Sequence, residues 1–484
     1  MIKNAANWLI ALIIFNLAFG VYALFNQFFL LYDDIEHLRA AYFVSLGYIP
    51  YQDFFEHHHP LLWYLWAPLM SVIPHITSVA IFIGRIVSYI ISIGTGCFIY
   101  KIIKKTSDDK ITALIGICVL FWAVFTWPAM FNVKPDIYMR FCFYGGLYYL
   151  LKYFYEAKFK YLQISFLLFA IGFLFLQTIV MLCAPLIIPI GCYVYKNPQK
   201  IKDFLWASIF PFAIIVICAT VLYYNNLLRY YFESNWIYNI ELGKIMNYGW
   251  SSNYKFAFRA GVLISEFLLL AVLSIVLFVR EKCADIGYIT IFSLIVCEFV
   301  QRFCFASTYH HYLINLVILL SIIAAPAIKF LWQKNNIFVY FFIALSILHL
   351  MLNIFVPARI DDKFRPHLYL EKYAANNDNI FGFKGGIFGR YYGYYWMYPN
   401  MERIDNIAFK RLPEYDVNEV IKQQKFDYIV ERENNSSESI LDLLTKSFGN
   451  TDETRQMFYN HSVNPEKLDD YEEIEPYFYR RKGV

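Results

Sequence analysis

The 484-residue chain is short of charge over most of its length: residues 1–360 hold 41 of its 80 Asp, Glu, Lys and Arg, and the last 124 residues hold the other 39. Hydrophobic residues make up 59% of the chain and aromatics 20%, against roughly 45–50% apolar in an average soluble domain. That shortage excludes an ordinary soluble enzyme. A basic tail is also missing: the front carries a net +9 and the tail −5, so nothing is offered to a nucleic-acid backbone. The nine cysteines form no C-x-x-C pair and none follows Cys304, which excludes a zinc finger and a disulfide framework. After Lys3 a long apolar run begins with no small-residue cleavage site behind a short core, so the N-terminus reads as a retained first span.

What the front does have is apolar length. Runs of about 17 to 25 residues, long enough to cross a bilayer, lie near 7–31, 77–100, 111–130, 137–154, 161–176, 179–195, 204–224, 257–279, 286–303, 311–329 and 337–357. The division at Gln177 is required because 161–195 is too long for one crossing. With the N-terminus inside, every inner loop bears Lys or Arg, from Lys101, Lys104, Lys105 and Lys110 through to Lys329 and Lys334, as the positive-inside rule expects. The outer segments are then 32–76, 131–136, the turn at 177–178, 225–256, 304–310 and the tail. The expected architecture is an all-α polytopic membrane domain of about 11 transmembrane helices over residues 1–357, then a small soluble α/β domain over 358–484. In that tail KFDYIV (425–430) reads as a strand, Val417–Gln423 and Glu438–Ser447 as helical, and the aromatics Tyr391, Tyr392, Tyr394, Tyr395 and Trp396 as a packed core or an interfacial belt. No catalytic signature occurs there.

The first outer segment, 32–76, concentrates the chemistry. Between Asp33 and His59 stand five acids and four histidines in an otherwise charge-poor region. Asp33–Leu46 has helical spacing and would place Asp33, Glu36 and His37 on one face, until Gly47 and Pro50 break it. Asp53, Glu56, His57, His58 and His59 precede Pro60 and the apolar LLWYLWAPLM, so they should lie at the membrane surface, where ionisable groups are costly and usually mark a site. The same ligand types admit a divalent metal as a cofactor, although the spacing is not a strong metal motif.

The juxtamembrane acid pair, followed by G-x-x-P-Y-x-D-F-F-E-H and then P-L-L-x-Y-L, resembles the polytopic C-type (GT-C) glycosyltransferases that use polyprenyl-phosphate sugars, which include the protein O-mannosyltransferases and the lipid A aminoarabinose transferases. The likeness extends to KPD (134–136), Arg85, FLFLQT (173–178) and Arg302 followed by YHHYL (309–313), so it covers most of residues 30–315. Two departures keep the charge: Asp34 stands where the usual pattern has Glu, and Lys134 where it often has Arg.

The resemblance implies a polyprenyl-phosphate-linked sugar donor, a lipid, glycan or protein acceptor, contact with membrane lipids and no nucleic acid. It places the catalytic acid at Asp33, with Asp34 and Glu56 as neighbouring carboxylates. Lys134, Arg302, His57, His58, His310, Arg85 and Asp136 are the residues to hold the donor and its phosphate. It also implies an integral protein of a bacterial inner membrane, with its site and tail on the outer side. The alternatives are a multi-span transporter or flippase and a non-enzymatic membrane receptor. Against the first, no inverted repeat is evident and the charges gather in outer loops; against the second stand the clustered acids and histidines.

Overall fold

The computed structural model describes residues 2–26, 32–123, 126–240, 265–280, 285–304, 313–335 and 337–355, together with parts of 369–483. Helix occurs in each of the eleven apolar runs. Among the described residues, five helical stretches are long and apolar enough to cross a membrane: Ala6–Leu24, Thr77–Ser107, Ile179–Lys196, Pro198–Tyr224 and Ile314–Lys334.

Two of the sequence expectations gain local detail. The run 111–130 is interrupted: α5 (Lys110–Leu120) ends in a turn whose Trp122 N–H donates to the Val119 carbonyl at 2.9 Å, and α6 (Thr126–Phe131) follows. The Thr126 hydroxyl donates back to the Leu120 carbonyl at 2.8 Å, which satisfies one of the orphan groups at the end of α5. The run 161–195 does divide: α8 (Phe159–Phe175) stops where Leu176 turns extended, and α9 (Ile179–Cys183) begins after Thr178.

Two compact units result. The first comprises Met1–Gln27, Arg85–Val221 and Tyr248–Pro357. In it α7 (Pro135–Glu156) packs on α8 through small residues: a Cβ on Gly146 would stand 2.5 Å from the Phe169 ring, and Ser165 donates to the Gly146 carbonyl at 2.8 Å. Close backbone approach through glycine and serine is how helices associate in lipid, where no hydrophobic difference drives them together. At the start of α5, Asp109 is extended, accepts from the Thr112 amide and hydroxyl at 2.6 Å each, and pairs with Lys329 at 2.9 Å.

The second unit comprises Phe28–Gly84, Leu222–Asn247 and Ala358–Val484. Its sheet has the order β2-β1-β3-β5-β4, with β1 (Asn379–Gly382), β2 (Arg390–Tyr392) and β3 (Tyr428–Val430) parallel, and β4 (Tyr471–Glu475) and β5 (Phe478–Arg481) antiparallel. Leu370, Ile380, Tyr428 and Phe478 form its core. β3 lies in the expected KFDYIV strand, whereas Glu438–Ser447, Tyr394, Tyr395 and Trp396 lie outside the described residues. The tail reaches segment 32–76 of this same unit: the Phe388 ring stacks on His75 at 4.7 Å and meets Tyr42 edge-on at 5.0 Å.

Candidate active site

The site is built on α2 (Tyr32–Ser45), which opens with Asp33 and Asp34 in its first turn, where carboxylates complement the helix dipole. Gly47, at φ +90°, ends the segment because only glycine adopts that backbone without steric cost. Tyr51 at φ 72° is also left-handed, an uncommon state for an aromatic residue. Its surroundings enforce it: the ring is buried, and the hydroxyl donates to the His58 carbonyl at 2.7 Å. That bond shapes the loop that carries Glu56, His57 and His58.

Within this loop Glu56 is the hub. Its Oε2 accepts from the His57 amide at 2.9 Å and lies 3.0 Å from His58 Nδ1. Its other oxygen is 3.9 Å from His37 Nδ1, but that nitrogen accepts the Trp63 indole N–H at 3.4 Å. His58 is therefore the nearer imidazole partner of Glu56. Burial pushes the Glu56 carboxyl up, yet the hydrogen bond and charge of His58, with His37 and His57, outweigh it and bring the group down to about 2. Glu36, one turn from Asp33, moves oppositely: burial first, then the charges of Glu56 and Asp33, hold it well above the ordinary carboxylate range. The two neighbouring carboxyls are thus pushed in opposite directions, as expected when like charges share a site.

Of the expected acids, Asp34 is fully buried and Glu56 is 1% exposed, while Asp33 is half-buried at the start of α2. Of Asp33, Asp34 and Glu56, Asp33 therefore has the greatest access. Glu36, Glu56, His57 and His58 each offer a ligand atom, all within 4.8 Å of one another. The sequence spacing had placed Glu36 beside Asp33 but gave no sign that it meets Glu56 twenty residues on.

A second segment, residues 228–239, locks the histidine loop. Helix α13 (Leu228–Phe232) runs into a π-helical turn, Glu233–Ile237. The Tyr231 hydroxyl lies 2.8 Å from His59 Nε2, Asn239 donates to the His57 carbonyl at 3.0 Å, and the Tyr238 ring lies 5.5 Å from that of His57. The sequence reading missed Tyr231, Tyr238 and Asn239, whose only signal was that they lie in a segment expected to be outer. π turns are rare and recur at functional sites.

The expected cations divide. His57 and His58 are in the loop. Lys134, Asp136 and Arg85 belong to the other compact unit: Lys134 precedes Pro135 at the N-terminus of α7, Asp136 sits in its first turn, and Arg85 is buried in α4 (Thr77–Ser107) with its guanidinium 5.5 Å from the Phe131 ring. Arg302 is on the helix Ile286–Cys304, its side chain outside the description, and His310 lies outside the described residues.

Residues 57–224, which begin inside the histidine loop, match the family model described as dolichyl-phosphate-mannose-protein mannosyltransferase. The resemblance read from the first outer segment and KPD is met by that match, which covers part of the chain. No curated protein matches it in sequence. Among solved structures, the archaeal oligosaccharyltransferase AglB from Archaeoglobus fulgidus, in complex with an inhibitory peptide and a dolichol-phosphate, is similar at 11% identity and TM-score 0.47, over 87% of this chain and 69% of that one. An Archaeoglobus fulgidus oligosaccharyltransferase complex with Zn and sulfate is similar at 10% identity and TM-score 0.40, over 76% of this chain and 60% of that one.

Proposed function

We propose that this transferase moves a sugar from a polyprenyl-phosphate donor to the hydroxyl of an outer-face acceptor, a glycolipid, surface polysaccharide or protein, with Asp33 as general base. The acceptor oxygen attacks the anomeric carbon, its proton passes to Asp33, and the carbon–oxygen bond to the phosphate breaks. Polyprenyl phosphate leaves from the opposite face, so the anomeric configuration inverts. The observation that carries the base assignment is access: Asp34 and Glu56 are buried, whereas Asp33 is only half-buried, beside Glu36, whose carboxyl burial and neighbouring charge hold well above the ordinary range.

Positive groups at the departing phosphate stabilise the transition state. His57 and His58 are the candidates within the loop, and Lys134, Arg302, His310 and Arg85 are those outside it, with Asp136 setting the charge around Lys134. The donor set Glu36, Glu56, His57 and His58 also fits a divalent cation, since mixed carboxylate and imidazole ligands suit zinc or manganese. When bound, such an ion would supply charge neutralisation.

The test is Asp33→Asn, which keeps shape but cannot take the proton. Turnover of a polyprenyl-phosphate sugar should fall by about 10²–10⁴-fold, with insertion and detergent melting unchanged. Transfer at the wild-type rate would end the assignment, and activity surviving in Asp33→Asn, Asp34→Asn and Glu56→Gln alike would remove all three carboxylates from the chemistry. The same proposal puts the site and tail on the outer side of a bacterial inner membrane, so reporters fused after Asp361 or Val484 should read the outer compartment.

A further inference from the structure

The helical unit contains a cavity of about 340 Å³, within the ~300–1,000 Å³ range of small-molecule sites. It is walled by α1 (Ile2–Asn26), α4, α5, α7 and the helix Ile314–Lys334, through side chains such as Ile13, Leu17, Ile117 and Ile318. Nearly all of that wall is hydrocarbon. Along α4 the lining runs from Ser92 to Lys101, a rise of roughly 13 Å at helical pitch, so the cavity is long enough for a stretch of alkyl chain.

Three observations on α4 give the cavity an entrance and a polarity. Cys97 lines it and is exposed, so it opens on the unit's surface. Gly96 lines it too, and a Cβ there would meet no atom within 4 Å. Lys101 closes the list of α4 lining residues and is exposed, with its ammonium 5.5 Å from the Phe98 ring centroid and 5.7 Å from that of Tyr148. Among the described residues no carboxylate pairs with Lys101. Lys105, one turn on, is by contrast neutralised by Glu156 at 3.2 Å. The other cation in the lining, Arg140, is buried, donates to the Ala129 carbonyl at 3.3 Å, and has Asp136 one turn before it on α7. The uncompensated charge is therefore at the Lys101 end.

We propose that this cavity holds one acyl chain of an anionic glycerophospholipid from the leaflet on the lysine-bearing side, with the lipid phosphate at Lys101. Hydrocarbon fills the apolar slot, and the unpaired ammonium meets the headgroup where basic residues at a membrane surface attract anionic lipid. The site is independent of the sugar-transfer reading, because it rests on α4 and its neighbours and uses none of the acidic loop.

Native mass spectrometry of the full chain in detergent, titrated with dipalmitoyl phosphatidylglycerol, dipalmitoyl phosphatidylcholine or undecaprenyl phosphate, tests it. Wild type should retain one phosphatidylglycerol and prefer it over phosphatidylcholine by about fivefold, the effect of one lysine near a charged surface. Lys101→Gln, an exposed substitution, should abolish that preference while leaving phosphatidylcholine binding as it was. Gly96→Phe, which fills the slot, should lose both lipids, and Gly96→Leu should weaken both if the phenylalanine variant fails to fold. Equal binding of the two phospholipids by wild type, or retention by the filled variants, would overturn the proposal. So would displacement of phosphatidylglycerol by stoichiometric undecaprenyl phosphate, which would make the slot a donor-tail site.

Discussion

Tyr231 and His59, 172 residues apart, lie with phenol oxygen and imidazole nitrogen 2.8 Å from each other. Through this pair and Asn239, the segment after the 209–224 helix holds the loop after α2, so the acid–histidine cluster is positioned from two distant parts of the chain.

If that contact is structural, Tyr231→Phe should lower stability by about 0.5–1.5 kcal/mol, the worth of one net hydrogen bond. His59→Gln should cost a similar amount. In detergent melting the double variant should lose less than the two singles together, because they share one interaction. Full additivity would show that the two side chains do not act on each other.

Calorimetric titration with Zn²⁺ or Mn²⁺ should find one site per chain, since the four donors around Glu56 can gather on a single ion. Glu56→Gln and His58→Ala should each weaken it by at least tenfold, whereas Asp53→Asn, an exposed neighbour, should leave it intact. Unchanged binding in the Glu56 variant would place the ion elsewhere.

Lys134→Ala and Arg302→Ala should each weaken donor binding and slow transfer, by roughly 1.5–3 kcal/mol for a charged hydrogen bond, and Lys134→Arg should retain much of both. Ordinary donor affinity in the two alanine variants would remove these cations from the phosphate.

Asp109 gives a pH dependence with a definite sign. Burial acts against its charge, but the bonds from Thr112 and Lys329 prevail and hold it below the usual carboxylate range. A depressed folded pKa contributes stability above the unfolded value, about 3.9, and that contribution disappears as pH falls through the folded one. Asp109→Asn should therefore melt below wild type at pH 7, by no more than about 1 kcal/mol for so exposed a pair, and the gap should close as pH falls through the depressed folded value. A gap that persists there would mean the loss is steric.

Much of this was legible locally. The i, i+3, i+4 spacing from Asp33 and the glycine at 47 fix α2 (Tyr32–Ser45) and its end, and the length of 161–195 called for the break that falls at Leu176–Thr178. Local pattern fails where partners are remote. Glu36 reads as an exposed helical acid until the left-handed Tyr51 turns the chain and brings Glu56 to it. Tyr231, Tyr238 and Asn239 carry no periodicity that points to histidines some 180 residues earlier. In the tail, β1 and β2 are short segments whose pairing depends on β3 and β5, information that no single segment contains.

The π turn at Glu233–Ile237 stands between Tyr231 and the pair Tyr238 and Asn239. A helix advances by about 100° per residue, so deleting one residue from that turn would rotate Tyr238 and Asn239 away from His57 while Tyr231 stayed on His59. The second clamp on the histidine loop is thus encoded as a count of residues. A single-codon deletion within 233–237 would unfasten one latch and leave the other closed.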